Sequence, residues 1–226
     1  MARVRKIQRN PSSGMNHFVV DANFLANKFV PGSSAPDAHQ KIRIERCCEW
    51  WEEIDAQVGH KRARVYAPDI CVAEAFKVLA KKYYEEQWFK TAVTFNNARL
   101  RLRKFITTPT RTLRAARRHI KFHDISTTRD IIISVDRFYE AFHKHKKKVQ
   151  LPDLIVVATA KYLLDFYDVP KQQLHIVTLD RALREGSKFI QELPNAYDPT
   201  EPSDSKDIVF TGDVFRPRRR KRRKKP

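Results

Sequence analysis

Short β-favouring stretches alternate along this chain with longer segments of helical apolar spacing. His17–Val20, Arg64–Ala67 and Leu174–Thr178 resemble strands, and an apolar residue recurs every three or four positions between Ile44 and Val58. This alternation is typical of βα units, in which helices join parallel strands and cover both faces of the sheet. The sequence therefore predicts an α/β fold with three α/β/α layers and a central, mostly parallel sheet.

Capping residues and composition predict the remaining boundaries. The first long helix should open at Pro36 and Asp37 and end at Gly59. Four further elements complete the predicted order: a helix with Asp69 as its N-cap, a weak strand at His119–Phe122, a helix over Asp130–Phe142 and an apolar helix over Leu154–Phe166. A final edge strand is predicted at Ile208–Phe210.

The basic residues divide the chain into three regions. A basic arm over residues 1–16 precedes a globular domain over 17–215, and a disordered basic tail over 216–226 has nine basic residues in eleven. The whole chain has 45 Lys and Arg against 26 Asp and Glu, a net charge of +19. Such a field favours a nucleic acid as partner, and a membrane surface is less favoured because no basic amphipathic anchor is present.

Cysteine usage and hydropathy indicate the compartment. Cys47, Cys48 and Cys71 are odd in number and two are adjacent, which is typical of a reduced, intracellular protein rather than a disulfide framework. No apolar run approaches the roughly 20 residues of a membrane span. We expect a cytoplasmic location, or a nuclear one if the organism is eukaryotic, in which case the tail would act as a localisation signal.

Acidic residues stand where strands end or helices begin. Asp21 and Asp180 follow apolar strands, Asp153 begins the apolar helix, and Glu74 lies in an early turn of another helix. Ligands bind beyond the carboxyl ends of parallel strands, and clustered carboxylates repel one another unless a cation lies among them. Mg²⁺ and Mn²⁺ prefer such oxygen ligands. Taken singly, each acid also has a structural explanation: a helix cap, a turn residue or a solvated side chain.

Four segments around these acids resemble the motifs of the PIN-domain family, in the family's order. They are Phe18–Leu25, Pro68–Phe76, Leu151–Ala160 and Ile176–Arg181. The resemblance implies that Asp21, Glu74, Asp153 and Asp180 are the catalytic and metal-binding carboxylates. It also implies that Asn23 and Thr178 are supporting polar residues.

Membership of that family implies a Mg²⁺- or Mn²⁺-dependent endoribonuclease that hydrolyses phosphodiester bonds of single-stranded or structured RNA. Many members are toxins of toxin–antitoxin pairs, and a homodimer or an inhibitory antitoxin-like partner is compatible with the family. The extra residues over 80–120 and at both termini argue against a minimal toxin.

Two alternatives stay open. One is a structure-specific DNA nuclease, since flap endonucleases have a related core, although they have more site carboxylates than the four identified here. The other is a non-catalytic RNA-binding protein of PIN fold, although members that lose activity usually lack one of the acids.

Basic residues are predicted to bind the nucleic-acid backbone. Between Gln87 and His123 there is no acidic residue, and further basic groups flank Asp153 and Asp180. The predicted contacts are Arg99, Arg101, Arg103, Lys104, Arg114, Arg117, Arg118, Lys146, Lys147, Lys148, Arg181, Arg218, Arg219 and Arg220. The accompanying aromatic residues either stack on bases or belong to the core: Tyr83, Tyr84, Trp88, Phe89 and Phe95.

Overall fold

Five parallel strands form the central sheet of the computed structural model, which describes residues 14–107, 123–202 and 206–210. In chain order the strands are β1 (Asn16–Val20), β2 (Ala63–Pro68), β3 (His123–Ile125), β4 (Leu174–Val177) and β5 (Asn195–Tyr197). Their spatial order is β3-β2-β1-β4-β5. The first strand is therefore central, and the chain turns to opposite sides of it.

Eight helices connect and cover these strands in the described part of the chain. They are α1 (Ala22–Asn27), α2 (Ala38–Gly59), α3 (Asp69–Tyr84), α4 (Ala92–Ile106), α5 (Arg129–Lys144), α6 (Leu151–Phe166), α7 (Arg181–Ser187) and α8 (Lys206–Phe210). Short 3₁₀ turns lie at Gly32–Ser34 and Lys171–Gln173. The predicted first helix ends at Gly59 as expected, and its Asp37 cap accepts a hydrogen bond from the Gln40 N–H at 2.7 Å.

Alternate residues of the central strand face two separate cores. Phe18 and Val20 pack with the tryptophans of α2 on one face. Val19 packs on the other face with the apolar residues of α5 and α6. This period of two is the consequence of strand geometry, and burial of both faces explains why Phe18, Val19 and Val20 form a continuous apolar run. The predicted three-layer α/β/α fold is confirmed, and every strand pair is parallel.

The register of the sheet fixes where the chain leaves it. Val20 of β1 lies opposite Val177 of β4. The residues that follow, Asp21 and Thr178, therefore emerge side by side at the carboxyl edge of the sheet.

The outer elements differ from the predictions. Ile208–Phe210 belongs to α8 and not to an edge strand, because Phe210 packs its ring against Phe18 and Trp50 at centroid distances of 5.7 and 5.3 Å. The edge of the sheet is instead β5, which was not predicted. The strand β3 lies at His123–Ile125, and the predicted strand at 119–122 falls outside the described residues.

Asp69 is the first residue of α3 and not its N-cap. Pro68 occupies the cap position, and the Asp69 carboxylate accepts a hydrogen bond from the Thr127 N–H at 3.3 Å. Strand β1 begins at Asn16, whereas residues 1–13 of the predicted arm and residues 211–226, which include the predicted tail, lie outside the described part. No helix among the described residues is long and apolar enough to cross a membrane.

Candidate metal centre

Asp21 is held rigidly at the carboxyl end of the central strand. Its side chain is 4% exposed, and it N-caps α1 by accepting the Phe24 N–H at 2.6 Å on Oδ1. Its other oxygen, Oδ2, accepts the Thr178 hydroxyl at 2.6 Å and the Leu179 N–H at 2.9 Å. Three donors on a buried carboxylate compensate part of the free energy lost when it leaves water.

Burial nevertheless has a larger effect on the pKa of this carboxyl group than its hydrogen bonds have. It raises the pKa of Asp21 to about 6, the charge of Asp180 adds to the rise, and the three hydrogen bonds oppose it. A charged Asp21 is therefore costly in the absence of a positive partner, and a cation placed beside it would remove that cost.

Asp180 stands at the end of the neighbouring strand and is linked to Asp21 through Thr178. Its Oδ1 N-caps α7 by accepting the Leu183 N–H at 2.6 Å, and its own N–H donates to the Thr178 hydroxyl at 2.9 Å. Thr178 is fully buried, so its hydroxyl fixes the two acids relative to each other. The capping function uses one oxygen of Asp180 and leaves Oδ2 without a hydrogen-bond partner among the described residues.

Asp153 is the third residue of α6, where it forms a capping box. Its Oδ2 accepts the Gln150 N–H at 3.2 Å. The pKa of Asp153 is raised to about 7, chiefly by burial, and further by the charges of Asp180, Asp21 and Glu74. The predicted acids are therefore close enough to repel one another, although they come from four separate parts of the chain.

One open cleft brings three of these carboxylates together. Glu74, Asp153 and Asp180 line it. The other lining residues are Asn23, Lys77, Val78, Lys81, Gln150 and Pro152. Its volume is about 190 Å³, which corresponds to roughly six water molecules. Asp21 lies buried beside this cleft and reaches it through Thr178 and Asp180 rather than by lining it.

The donor set fits a hard divalent cation that retains water. Residues 14–107, 123–202 and 206–210 contain no group of three or more His, Cys, Asp or Glu side chains placed so that together they could hold a metal ion. Mg²⁺ is usually bound by one or two carboxylates together with waters and substrate oxygens, so an open cleft with oxygen ligands suits it.

No family model matches the sequence, and no curated protein matches it. The resemblance to the PIN-domain family therefore rests on the four motifs, and the acids of those motifs are the ones around this cleft.

The predicted basic contacts fall into three groups. Arg99, Arg101, Arg103 and Lys104 are exposed on α4. Lys146 and Lys148 are exposed after α5, whereas Lys147 and Arg181 both form ion pairs with Glu185, at 2.5 and 2.6 Å. The remainder lie outside the described residues: Arg114, Arg117, Arg118, Arg218, Arg219 and Arg220.

Most of the aromatic residues near the basic segment belong to the core. Trp88, Phe89 and Phe95 are each less than a tenth exposed, which rules out stacking of their faces on a free base in this arrangement. Tyr84, at 71% exposure, is the exception.

Two lysines of the cleft were not predicted. Lys77 and Lys81 lie on α3 three and seven positions after Glu74, so helical geometry places all three on the same face. That spacing was the available sign in the sequence. Lys81 also pairs with Glu86 at 3.3 Å, whereas Lys77 is exposed beside the acids.

Proposed function

We propose that this chain is a divalent-metal-dependent nuclease of the PIN type that hydrolyses phosphodiester bonds in RNA. The observation that supports it most strongly is the cleft lined by Glu74, Asp153 and Asp180, with Asp21 buried beside it. Carboxylates brought together at a sheet edge, with raised pKa values at Asp21 and Asp153, are typical of a site that is completed by a cation.

The residues around the cleft would have different roles at such a site. Asp153 and Asp180 would hold Mg²⁺ or Mn²⁺ in the cleft, with Glu74 beside them on the facing helix, and the buried Asp21 would add its negative charge from behind Thr178. A bound ion would supply Lewis acidity toward water and the phosphate oxygens. The hydrogen bonds from Thr178 and Leu179 keep the Asp21 carboxylate oriented, so its position is set before any substrate arrives.

Residues at the rim of the cleft would bind the substrate. Lys77 and Lys81 offer positive charge to a phosphate beside the acids, and the Asn23 side chain, which is exposed at the mouth, can donate to a phosphate oxygen. The exposed arginines of α4 and the net charge of +19 extend the attraction to the rest of a polyanion. RNA is favoured over DNA by the resemblance to the PIN family.

Cleavage of labelled oligonucleotides tests the proposal. The full-length chain and Asp180→Asn are incubated with single-stranded RNA, single-stranded DNA and flap DNA, with Mg²⁺, with Mn²⁺ or with EDTA. We expect metal-dependent RNA cleavage that Asp180→Asn reduces about 100-fold or more, in line with the loss of one charged group that stabilises a transition state.

Glu53→Gln is the matched control, because it removes a carboxylate charge from an exposed position on α2. It should cleave as the unmodified chain does. Equal cleavage by the Asp180→Asn and Glu53→Gln variants would contradict the proposal. Cleavage of flap DNA alone would indicate that the same site is that of a DNA nuclease.

A further inference from the structure

A second cavity lies next to the carboxylate cleft and differs from it in charge. Arg43 and Lys82 line it, together with Trp88 and the amide side chains of Asn23, Asn27 and Gln40. Its volume is about 180 Å³. Asn23 and Asp180 line both cavities, so the two are contiguous.

The positive groups of this cavity have no carboxylate partner within the described part of the chain. The Nε atom of Arg43 is buried and has no hydrogen-bond acceptor. Among the described carboxylates none lies within ion-pair distance of Arg43 or Lys82, whereas the adjacent Lys81 pairs with Glu86 at 3.3 Å. A buried donor without an acceptor costs free energy, so an arrangement of this kind is expected where a ligand supplies the acceptor.

Lys82 is held in place by an aromatic ring rather than by an acid. Its Nζ lies over the Trp88 ring, 3.1 Å from the centroid. The pKa of Lys82 is lowered to about 8, mainly by burial and also by the charges of Arg43 and Lys81, while Glu86 opposes the change. Two cations that repel each other in a partly buried cavity would both be stabilised by a bound anion.

The lining identifies the chemistry of that anion. A guanidinium fork and an ammonium group, flanked by neutral amides and by one carboxylate, Asp180, at the side shared with the cleft, are suited to a tetrahedral oxyanion. A nucleobase is a poorer fit, since Trp88 is only 8% exposed and offers no open face for stacking. We infer that this cavity binds a second phosphate of the nucleic-acid strand whose scissile phosphate enters the carboxylate cleft. This inference rests on the proposed function.

Binding without turnover tests the inference. In EDTA, fluorescence anisotropy gives the dissociation constant of a short single-stranded RNA for Arg43→Gln, Lys82→Met and a control, Lys41→Met. Lys41 is exposed on the same helix as Arg43 and pairs with Glu45, so the control removes one charge from outside the cavity. Loss of one charge-assisted hydrogen bond predicts about tenfold weaker binding for each cavity variant.

The salt dependence of binding provides a second measure. Loss of one phosphate contact should reduce the slope of log affinity against log salt by about 0.7 for a single strand. The inference is overturned if both cavity variants bind with the affinity and slope of Lys41→Met. Circular dichroism verifies folding, and Lys82→Met alone decides the question if Arg43→Gln does not fold.

Comparison of 5′-phosphorylated with 5′-hydroxyl RNA shows which phosphate is bound. Preference for the phosphorylated strand that disappears in the cavity variants indicates a terminal phosphate, and equal weakening for both strands indicates an internal phosphodiester. Because binding is measured in EDTA, its result is separate from cleavage. A chain that binds through Arg43 but does not cleave would contradict the proposed function and leave the phosphate site standing.

Discussion

Replacing Asp21 by asparagine should flatten the dependence of stability on pH. Folding raises the pKa of this carboxyl from 3.8 to about 6, so the folded chain holds the proton more tightly than the unfolded chain does. The contribution of Asp21 to stability therefore falls as the pH rises from about 4, and the full cost is reached above about 6.

The magnitude follows from the two pKa values. The difference between 3.8 and about 6 corresponds to about 3 kcal/mol of unfolding free energy lost by high pH, of which about 1.5 kcal/mol is lost between pH 5 and pH 8. Because asparagine does not titrate, the loss of unfolding free energy between pH 5 and pH 8 that is due to Asp21 should be absent from the variant. The variant also weakens the bonds from Phe24, Thr178 and Leu179, but that loss lowers stability at both pH values.

Urea denaturation at pH 5 and pH 8, in EDTA, measures the effect. The difference in unfolding free energy between the two pH values should be smaller in Asp21→Asn by about 1.5 kcal/mol or more, since removal of the Asp21 charge also lowers the pKa of Asp153. Asp37→Asn makes the same chemical change at the exposed N-cap of α2 and corrects for the loss of a cap. If Asp21→Asn and the unmodified chain show the same difference, the burial argument is refuted.

Three further substitutions test the surroundings of the site. Thr178→Val removes a buried hydroxyl that donates to a carboxylate, and should cost about 2 kcal/mol in urea denaturation at pH 8 but less at pH 5, where Asp21 is mostly protonated; an equal cost at both would contradict the assigned bond. Gly186→Ala would place a Cβ 2.3 Å from the buried Phe142 ring and should lower the unfolding free energy by about 1–3 kcal/mol, whereas an unchanged value would show that the ring moves freely. Lys77→Met should raise the KM for RNA about threefold at low salt and hardly at all at high salt, and a salt-independent effect would exclude a phosphate contact.

The strands that position the acids were predictable because they are buried on both faces. Most residues of β1 and β4 are apolar, the exceptions being Asn16, His17 and His175, and each strand is followed directly by a polar residue, Asp21 or Thr178. A parallel sheet brings such ends to one edge, so the neighbourhood of Asp21 and Asp180 followed from the pattern alone.

The edges of the domain were less predictable because tertiary contacts decide them. The strand β5 has three residues and pairs only with β4, so no periodic pattern distinguishes it from a loop. Ile208–Phe210 has the composition of a strand, but it lies in a helical turn whose Phe210 ring packs against Trp50. Local propensity is overridden in both places by packing.

The side chains that complete the site come from separate helices, and their meeting cannot be derived from spacing along the chain. Arg43 on α2 and Lys82 on α3 line one cavity only because both helices pack on the same face of the sheet. Likewise, Asp21 lies buried beside the cleft instead of lining it, and its carboxylate is bonded there to the Thr178 hydroxyl. The orientation of that hydroxyl cannot be predicted from the sequence.

Titration with Mn²⁺, monitored by electron paramagnetic resonance, measures whether the cleft lined by Glu74, Asp153 and Asp180 binds a divalent cation. The signal of free Mn²⁺ disappears when the ion binds to a protein, so bound and free ion are counted separately. We expect saturable binding by the full-length chain, competition by Mg²⁺, and loss of that binding in a variant with Asp153→Asn and Asp180→Asn together. Equal Mn²⁺ binding by the double variant and by Glu53→Gln would contradict the assignment of this cleft as a metal centre.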